Sequence, residues 1–292
     1  MKTKTFQIRF LFITLLVLAV LWIPQLTSAW PSDPTVNVPI CTAANEQSNP
    51  QLVSDGAGGA IITWMDRRSD DGDIYAQRVD SNGAVLWTTD GVPICMAEGV
   101  QESPQLVSDK AGGAIITWSD SRGGNWDIYA QRVDASGAVL WTTDGVPVCT
   151  TAGDQWSPQI VSDNAGGAII TWWDWRNILY GIYVQRLDAN GAVLWTTDGV
   201  PILTAANPPA PLQLVSDGAS GAIIMWEYHY GVAWDIYAQR VDANGTVLWT
   251  TGGVPIYTAE DWQQSPQLVS DGAGGAIITW WDSRSFPPCV ST

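Results

Sequence analysis

Residues 51–87 read QLVSDGAGGAIITWMDRRSDDGDIYAQRVDSNGAVLW, and the same text returns in steps of 54 residues. Gln-Leu/Ile-Val-Ser-Asp opens each unit at Gln51, Gln105, Gln159, Gln213 and Gln267. Ala-Ile-Ile-Thr/Met-Trp follows, closing on Trp64, Trp118, Trp172, Trp226 and Trp280. Ile-Tyr-Ala/Val-Gln-Arg then starts at Ile74, Ile128, Ile182 and Ile236, and Val-Leu-Trp ends at Trp87, Trp141, Trp195 and Trp249. A fixed period of this length marks a repeat architecture in which each unit is one supersecondary element.

Within a unit, four short runs rich in strand-forming residues are separated by turn residues. They are Gln51–Ser54, Ala60–Trp64 after a glycine-rich turn, Ile74–Val79, and Ala84–Trp87 after Asn82-Gly83. Asn-Gly favours a two-residue type I′ hairpin, and Ser136-Gly137, Asn190-Gly191 and Asn244-Gly245 repeat the device. The run Ala-Ile-Ile-Thr-Trp does not alternate, so both its faces ask for burial, which a sheet held between two neighbours supplies. Helical periodicity is absent. The expected fold is all-β, a β-propeller of about five four-stranded blades with the last blade incomplete. Repeats start near positions 50, 104, 158, 212 and 266, and the propeller domain is expected over 30–292. Val36–Ala43 match the end of a repeat, so the N-terminal segment is a candidate for closing the ring by completing a composite blade.

Lys2, Lys4 and Arg9 followed by the apolar run Phe10–Ile23, Pro24 and Thr27-Ser28-Ala29 read as a secretory signal peptide over 1–29. A spanning helix needs roughly 20 apolar residues, so no membrane span is expected, and the setting is extracellular or cell-surface. The formal net charge of −16 disfavours nucleic acid and anionic surfaces and suits a neutral glycan or a protein as ligand. The chain is expected to be a monomer or part of a longer protein. Cys41, Cys95 and Cys149 share one repeat position, so they belong to different blades and are expected to be buried thiols rather than a bridge. Cys289 has no counterpart.

Trp-x-Asp-x-Arg recurs as Trp64/Asp66/Arg68, Trp118/Asp120/Arg122, Trp172/Asp174/Arg176 and Trp280/Asp282/Arg284. Recurrence in nearly every blade favours a structural ion pair or loop cap, with Arg78 and its equivalents as further partners. The nine repeat tryptophans are structural by the same argument. Departures from symmetry are the candidate ligand contacts: Trp173, Trp175, Arg176 and Tyr180 in the third repeat, and Glu227, Tyr228, His229 and Tyr230 in the fourth. Clustered aromatics beside polar groups suit a glycan surface. His229 is the single histidine, so neither a catalytic triad nor a histidine metal site is expected. Asp70-Asp71-Gly72-Asp73 could touch Ca²⁺ but reads as a solvated turn, and no cofactor is expected.

The units resemble the tandem propeller repeats of large secreted bacterial proteins, on the strength of Trp-x-Asp-x-Arg, Asp-Ile-Tyr-Ala-Gln-Arg and Asn-Gly-x-Val-Leu-Trp over about Val36 to Arg284. Asp80–Trp87 also looks like the Asp-box of sialidase-like propellers and the tryptophan-docking motif of quinoprotein propellers, both structural. The expected function is a non-catalytic extracellular binding or scaffold module with a glycan or protein ligand, and no enzyme activity. The alternative is a sialidase-like or glycoside-hydrolase-like propeller enzyme, which needs two carboxylates in one pocket. Near-identity of the repeats leaves few unique polar groups for such a pocket.

Overall fold

The computed structural model describes residues 30–31, 33, 35–69, 71–205, 212–230, 233–258 and 263–282. The signal-peptide reading of 1–29, Asp70, Arg284 and Cys289 lie outside them, as do the side chains of His229 and Tyr230.

The chain forms four four-stranded antiparallel sheets and a two-stranded fifth. Blade one holds β1 (Gln47–Ser54), β2 (Ala60–Asp66), β3 (Asp73–Val79) and β4 (Val92–Cys95). Blade two holds β5 (Gln101–Ser108), β6 (Ala114–Asp120), β7 (Asp127–Val133) and β8 (Val146–Cys149). Blade three holds β9 (Gln155–Ser162), β10 (Ala168–Asp174), β11 (Tyr180–Leu187) and β12 (Val200–Ala205), with a single 3₁₀ turn at Arg176–Ile178. Blade four holds β13 (Leu212–Ser216), β14 (Ala222–Tyr230), β15 (Ala233–Val241) and β16 (Val254–Tyr257), and β17 (Gln263–Ser270) with β18 (Ala276–Asp282) make blade five. The first strands of successive blades pack on one another, β1 on β5, β5 on β9, β9 on β13 and β13 on β17. This is the β-propeller arrangement, with two strands of the last blade among the described residues.

Both faces of the central strands are covered, as the non-alternating run requires: all seven residues of β6 and of β10 are buried. The core lies between blades. Ile61 of blade one meets Ile116 and Trp118 of blade two, and Ile169 and Trp173 of blade three meet Ile224 and Trp226 of blade four. Residues on the Ile61 side of β2 therefore face the following blade, and residues on the Ile62 and Trp64 side face the preceding one.

The fourth strand is not Ala84–Trp87. That segment makes only the Val79–Val85 bridge, and Val92–Cys95 pairs with β3 instead. Gln77 explains the exchange: its Oε1 accepts from the Trp87 backbone N–H at 2.9 Å and its Nε2 donates to Thr88 O at 2.8 Å, so a buried side chain replaces the ladder. The released Trp87 indole donates to Ala135 O of blade two at 3.1 Å. The Asn-Gly turn also differs from type I′. Gly83 alone has positive φ, Gly83 N–H donates to Asp80 O, and Asp80 Oδ1 accepts from the backbone of Asn82 and Ala84. A carboxylate cap, rather than two left-handed residues, makes the turn.

The N-terminal segment takes the place of a preceding blade's last strand. Trp30 Nε1 donates to Ser81 O at 3.0 Å, as Trp87 does to Ala135 O. The Thr42 N–H donates to Asp90 Oδ1 as the Met96 N–H does to Asp144 Oδ1.

Gly145 shows how tightly the blades close. It has φ +90°, and a Cβ there would lie 2.6 Å from Trp118 Cη2. Gly145→Ala is expected to lower stability by about 1–3 kcal/mol, read from urea unfolding, because it overpacks a buried tryptophan and strains the backbone. Gly124→Ala, at φ +94° with open space around it, carries only the backbone part and should lose about 1 kcal/mol.

Candidate active site

The rim where second strands end and third strands begin gathers the loops that depart most from symmetry, and its regular part is structural. Asp66 Oδ2 accepts from Trp64 Nε1 at 2.8 Å and from Arg68 Nη2 at 2.6 Å, and Asp66 Oδ1 accepts from the Arg68 backbone N–H and Nε, both at 2.9 Å. Arg68 lies 3.9 Å over the Tyr75 ring, reaches Asp90 O at 2.7 Å and touches Cys41 Sγ at 3.4 Å. Blades two and three repeat the cluster around Asp120–Arg122 and Asp174–Arg176. Burial opposes the charge on Asp66, but the hydrogen bonds from Arg68 and Trp64 outweigh it and hold the carboxyl below its ordinary range. The Asp–Arg pair of Trp-x-Asp-x-Arg is thus an internal staple. Arg78 is not its partner: Arg78 binds Asp55 Oδ2 at 2.8 Å at the opposite end of the blade and donates to Ala135 O of the next.

The repeated thiols sit against these staples in three different blade junctions. Cys95 and Cys149 are buried, free, and pushed up to about 12 by desolvation, while Cys41 is half-buried and raised for the same reason.

A second carboxyl series lies beside the staples at the start of the third strands. Asp73, Asp127 and Asp235 occupy one repeat position, with Gly181 in the third blade. Asp73 is buried, not part of a solvated turn, and its Oδ2 accepts from the Ser69 hydroxyl. Desolvation, reinforced by the Asp66 and Asp71 charges, raises its pKa. Among the described residues no three His, Cys, Asp or Glu side chains group as a metal site would need. Asp127 is pushed up to about 6 by burial, with Asp120 and Asp154 adding to it and the Asn125 hydrogen bond opposing.

The sign of the Asp127 effect follows from linkage. Its folded pKa exceeds the ordinary 3.8, so the folded state holds the proton more tightly and stability falls as pH rises from about 4 to about 6. Above pH 6 the penalty is fully present. A rise of that size corresponds to about 3 kcal/mol, and solvent screening at the rim reduces the expected effect to about 1–2 kcal/mol. Asp127→Asn should therefore stabilise the protein by that amount at pH 7.5 and by little at pH 4, measured by urea unfolding at both.

Blade four breaks the pattern. Tyr228 stands where Asp66, Asp120 and Asp174 stand in the other blades, and Tyr230 falls at the arginine position. Tyr237, which stacks with Trp226 at 6.3 Å, receives the Tyr228 ring edge-on at 6.5 Å instead of a guanidinium. Asp235 pairs in register with Tyr228 and is buried. Its Oδ1 has no hydrogen-bond partner among the described residues, and burial raises its pKa. Glu227, on the other face of the blade, is also buried and raised by desolvation, with the Ser265 backbone N–H opposing, and its Oε1 is without a partner among the described residues.

The structure divides the sequence-predicted contact residues. Trp175 and Tyr180 stack at 6.2 Å on the rim of blade three, with Trp175 42% exposed. Trp173 is buried in the junction of blades three and four, in the cluster against which Tyr228 packs. Arg176 is bound to Asp174 and lies 3.7 Å over Tyr183. Glu227 turns toward blade five, and the backbones of His229 and Tyr230 pair with Trp234 and Ala233. Sequence reasoning missed Asp235. It repeats Asp73 and Asp127, and the signal was the loss of its neighbouring arginine in the fourth repeat.

No family model and no curated protein matches the chain. Among solved structures it is similar to an endo-arabinase from Bacteroides thetaiotaomicron, at 14% identity over 79% of this chain and 87% of that one, with a TM-score of 0.41. It is similar to a thermostable family-43 glycoside hydrolase, at 10% identity over 81% and 83%, TM-score 0.45. A third is an α-L-arabinofuranosidase from Fusarium graminearum in complex with an iminosugar inhibitor, at 13% identity over 80% and 74%, TM-score 0.45. These are likenesses of fold. The sequence-based expectation of a non-catalytic binding or scaffold module, with no enzyme activity, is corrected and not carried forward, because the similar structures are glycoside hydrolases. Among the described residues no helix is long and apolar enough to cross a membrane.

Proposed function

We propose that this propeller hydrolyses neutral glycans, with its proton chemistry on the rim of blade four. One observation carries the reading. Asp235 is a buried carboxyl with raised pKa and an oxygen that has no partner among the described residues, at the one blade where tyrosines replace both the aspartate and the arginine of the staple. A buried carboxyl whose pKa is raised by desolvation is the kind of group that can serve a glycosidic leaving group as its acid. Glu227, raised in the same way, lies on the opposite face of blade four against Ser265 of blade five, so it shares no pocket with Asp235 and is not assigned the second carboxyl's role. Trp175 and Tyr180 on the adjacent rim offer ring faces to sugars, and the net charge of −16 favours neutral over anionic chains. Export through the segment 1–29, and extracellular action on glycans, belong to the same proposal.

The test is reducing-sugar release from a panel of neutral polysaccharides. Asp235→Asn is expected to lower kcat by about 10²–10⁴-fold without loss of thermal stability, whereas Glu227→Gln, on the other face of the blade, should leave kcat in place. Trp175→Ala should raise KM and leave kcat in place. A folded native chain that releases no sugar from any member of the panel sinks the reading.

A further inference from the structure

Among the described residues the propeller is open between blade five and blade one, and the two faces at the opening are unmatched halves of one interface. On blade five, Val269, Ile277 and Trp281 are 57%, 56% and 56% exposed, whereas the equivalents of Ile277 inside the array, Ile61, Ile115, Ile169 and Ile223, are 0–1% exposed. On blade one, Leu52 is 71% exposed, and with Ile62, Trp30, Val36, Val38 and Ile40 it lines an apolar groove of about 510 Å³. The Ile61-side face of every inner blade packs on the Ile62-side face of the next: Val53 and Ile61 share a cluster with Leu106 and Ile116, and Met225 and Ile236 share one with Leu268 and Ile278. Blade five exposes the first kind of face and blade one the second.

We propose that two copies of this chain associate head to tail, the exposed face of blade five in one docking on the exposed face of blade one in the other. Continuity with the blade–blade interface identifies the occupant. Four junctions built from near-identical residues impose near-identical turns, and after them β17 does not pack on β1 as β5 and β9 pack on their neighbours. Closing the ring within one chain would deform all four junctions, since packed cores resist continuous distortion. A second copy meets each face with a junction of undistorted geometry. The contact is heterologous, so it closes as a ring of copies or grows as an open series.

In the full chain, a Leu52→Cys variant mixed with a Val269→Cys variant under mild oxidation should give a two-chain disulfide that neither variant nor the native chain gives alone. These positions correspond to Leu106 and Val53, which share the first inter-blade cluster. Light scattering of the native chain should return at least twice the 31.6 kDa chain mass. Ile277→Asp should return the mass of one chain with an unchanged β-type circular dichroism spectrum, because Ile277 is exposed in the single chain. A Leu52→Cys/Val269→Cys double variant that closes only on itself, or a native chain of single-copy mass at every concentration, overturns the proposal.

Discussion

Replacing Asp120 with alanine is expected to lower the unfolding free energy by about 3–5 kcal/mol. The carboxylate is fully buried and accepts five hydrogen bonds: from Trp118 Nε1 at 2.8 Å, from the Arg122 backbone N–H, Nε and Nη2 at 3.0, 2.9 and 2.6 Å, and a long one from the Cys95 thiol at 3.8 Å. Alanine leaves the guanidinium only the Asp144 carbonyl at 2.8 Å, the Cys95 sulfur at 3.1 Å and the Tyr129 ring. Removing one partner of a buried pair strands the other charge, which is why the loss exceeds the net worth of the pair. Asp120→Asn keeps one acceptor oxygen and should lose less. Arg122→Lys should also destabilise, because an ammonium cannot reproduce the fork and the ring stacking. Urea unfolding ranks the variants. A loss below about 1 kcal/mol for Asp120→Ala would place the pair in the energetic class of exposed ion pairs and contradict the staple.

The period of the sequence carried most of the fold. Spacing, the doubly buried Ala-Ile-Ile-Thr-Trp run and the repeated turns were enough to place three of the four strands of each complete blade, because those features are local. The fourth strand was misplaced because what displaces Val85-Leu86-Trp87 is remote: Gln77 takes the Trp87 N–H, and Ala135 of another blade takes its indole. Propensity cannot register a ladder broken by a glutamine side chain and a neighbouring blade. The partner of Arg78 was misread for a related reason. Asp55 and Asp66 are both plausible in sequence, and only the strand direction sends them to opposite rims. At the site, asymmetry pointed to blades three and four, and Asp235 went unnoticed because it conforms to its repeat. Its distinction lies in what Tyr228 and Tyr230 removed from around it, a property of neighbours rather than of the residue.

The nearly invariant Val-Leu-Trp motif is expected to be energetically unequal from blade to blade. Trp195 is buried, its Nε1 donates to Ala243 O at 3.0 Å, and its ring lies against Gly245, where a Cβ would come within 2.8 Å of the indole. Trp195→Ala removes a large buried ring and a bond that joins blades three and four, so a loss of about 3–5 kcal/mol is expected. Trp249 holds the same place in blade four but is 36% exposed, because the described residues of blade five include no hairpin to receive it. Trp249→Ala should therefore lose about 1 kcal/mol or less in a dilute single-chain sample, in line with a surface substitution. Thermal or urea unfolding of the two variants separates the explanations. Equal losses would mean that the motif acts within its own blade. Unequal losses would show that each tryptophan draws its value from the next blade's hairpin, and Trp30, bonded to Ser81 O, should then behave as the first member of the same series.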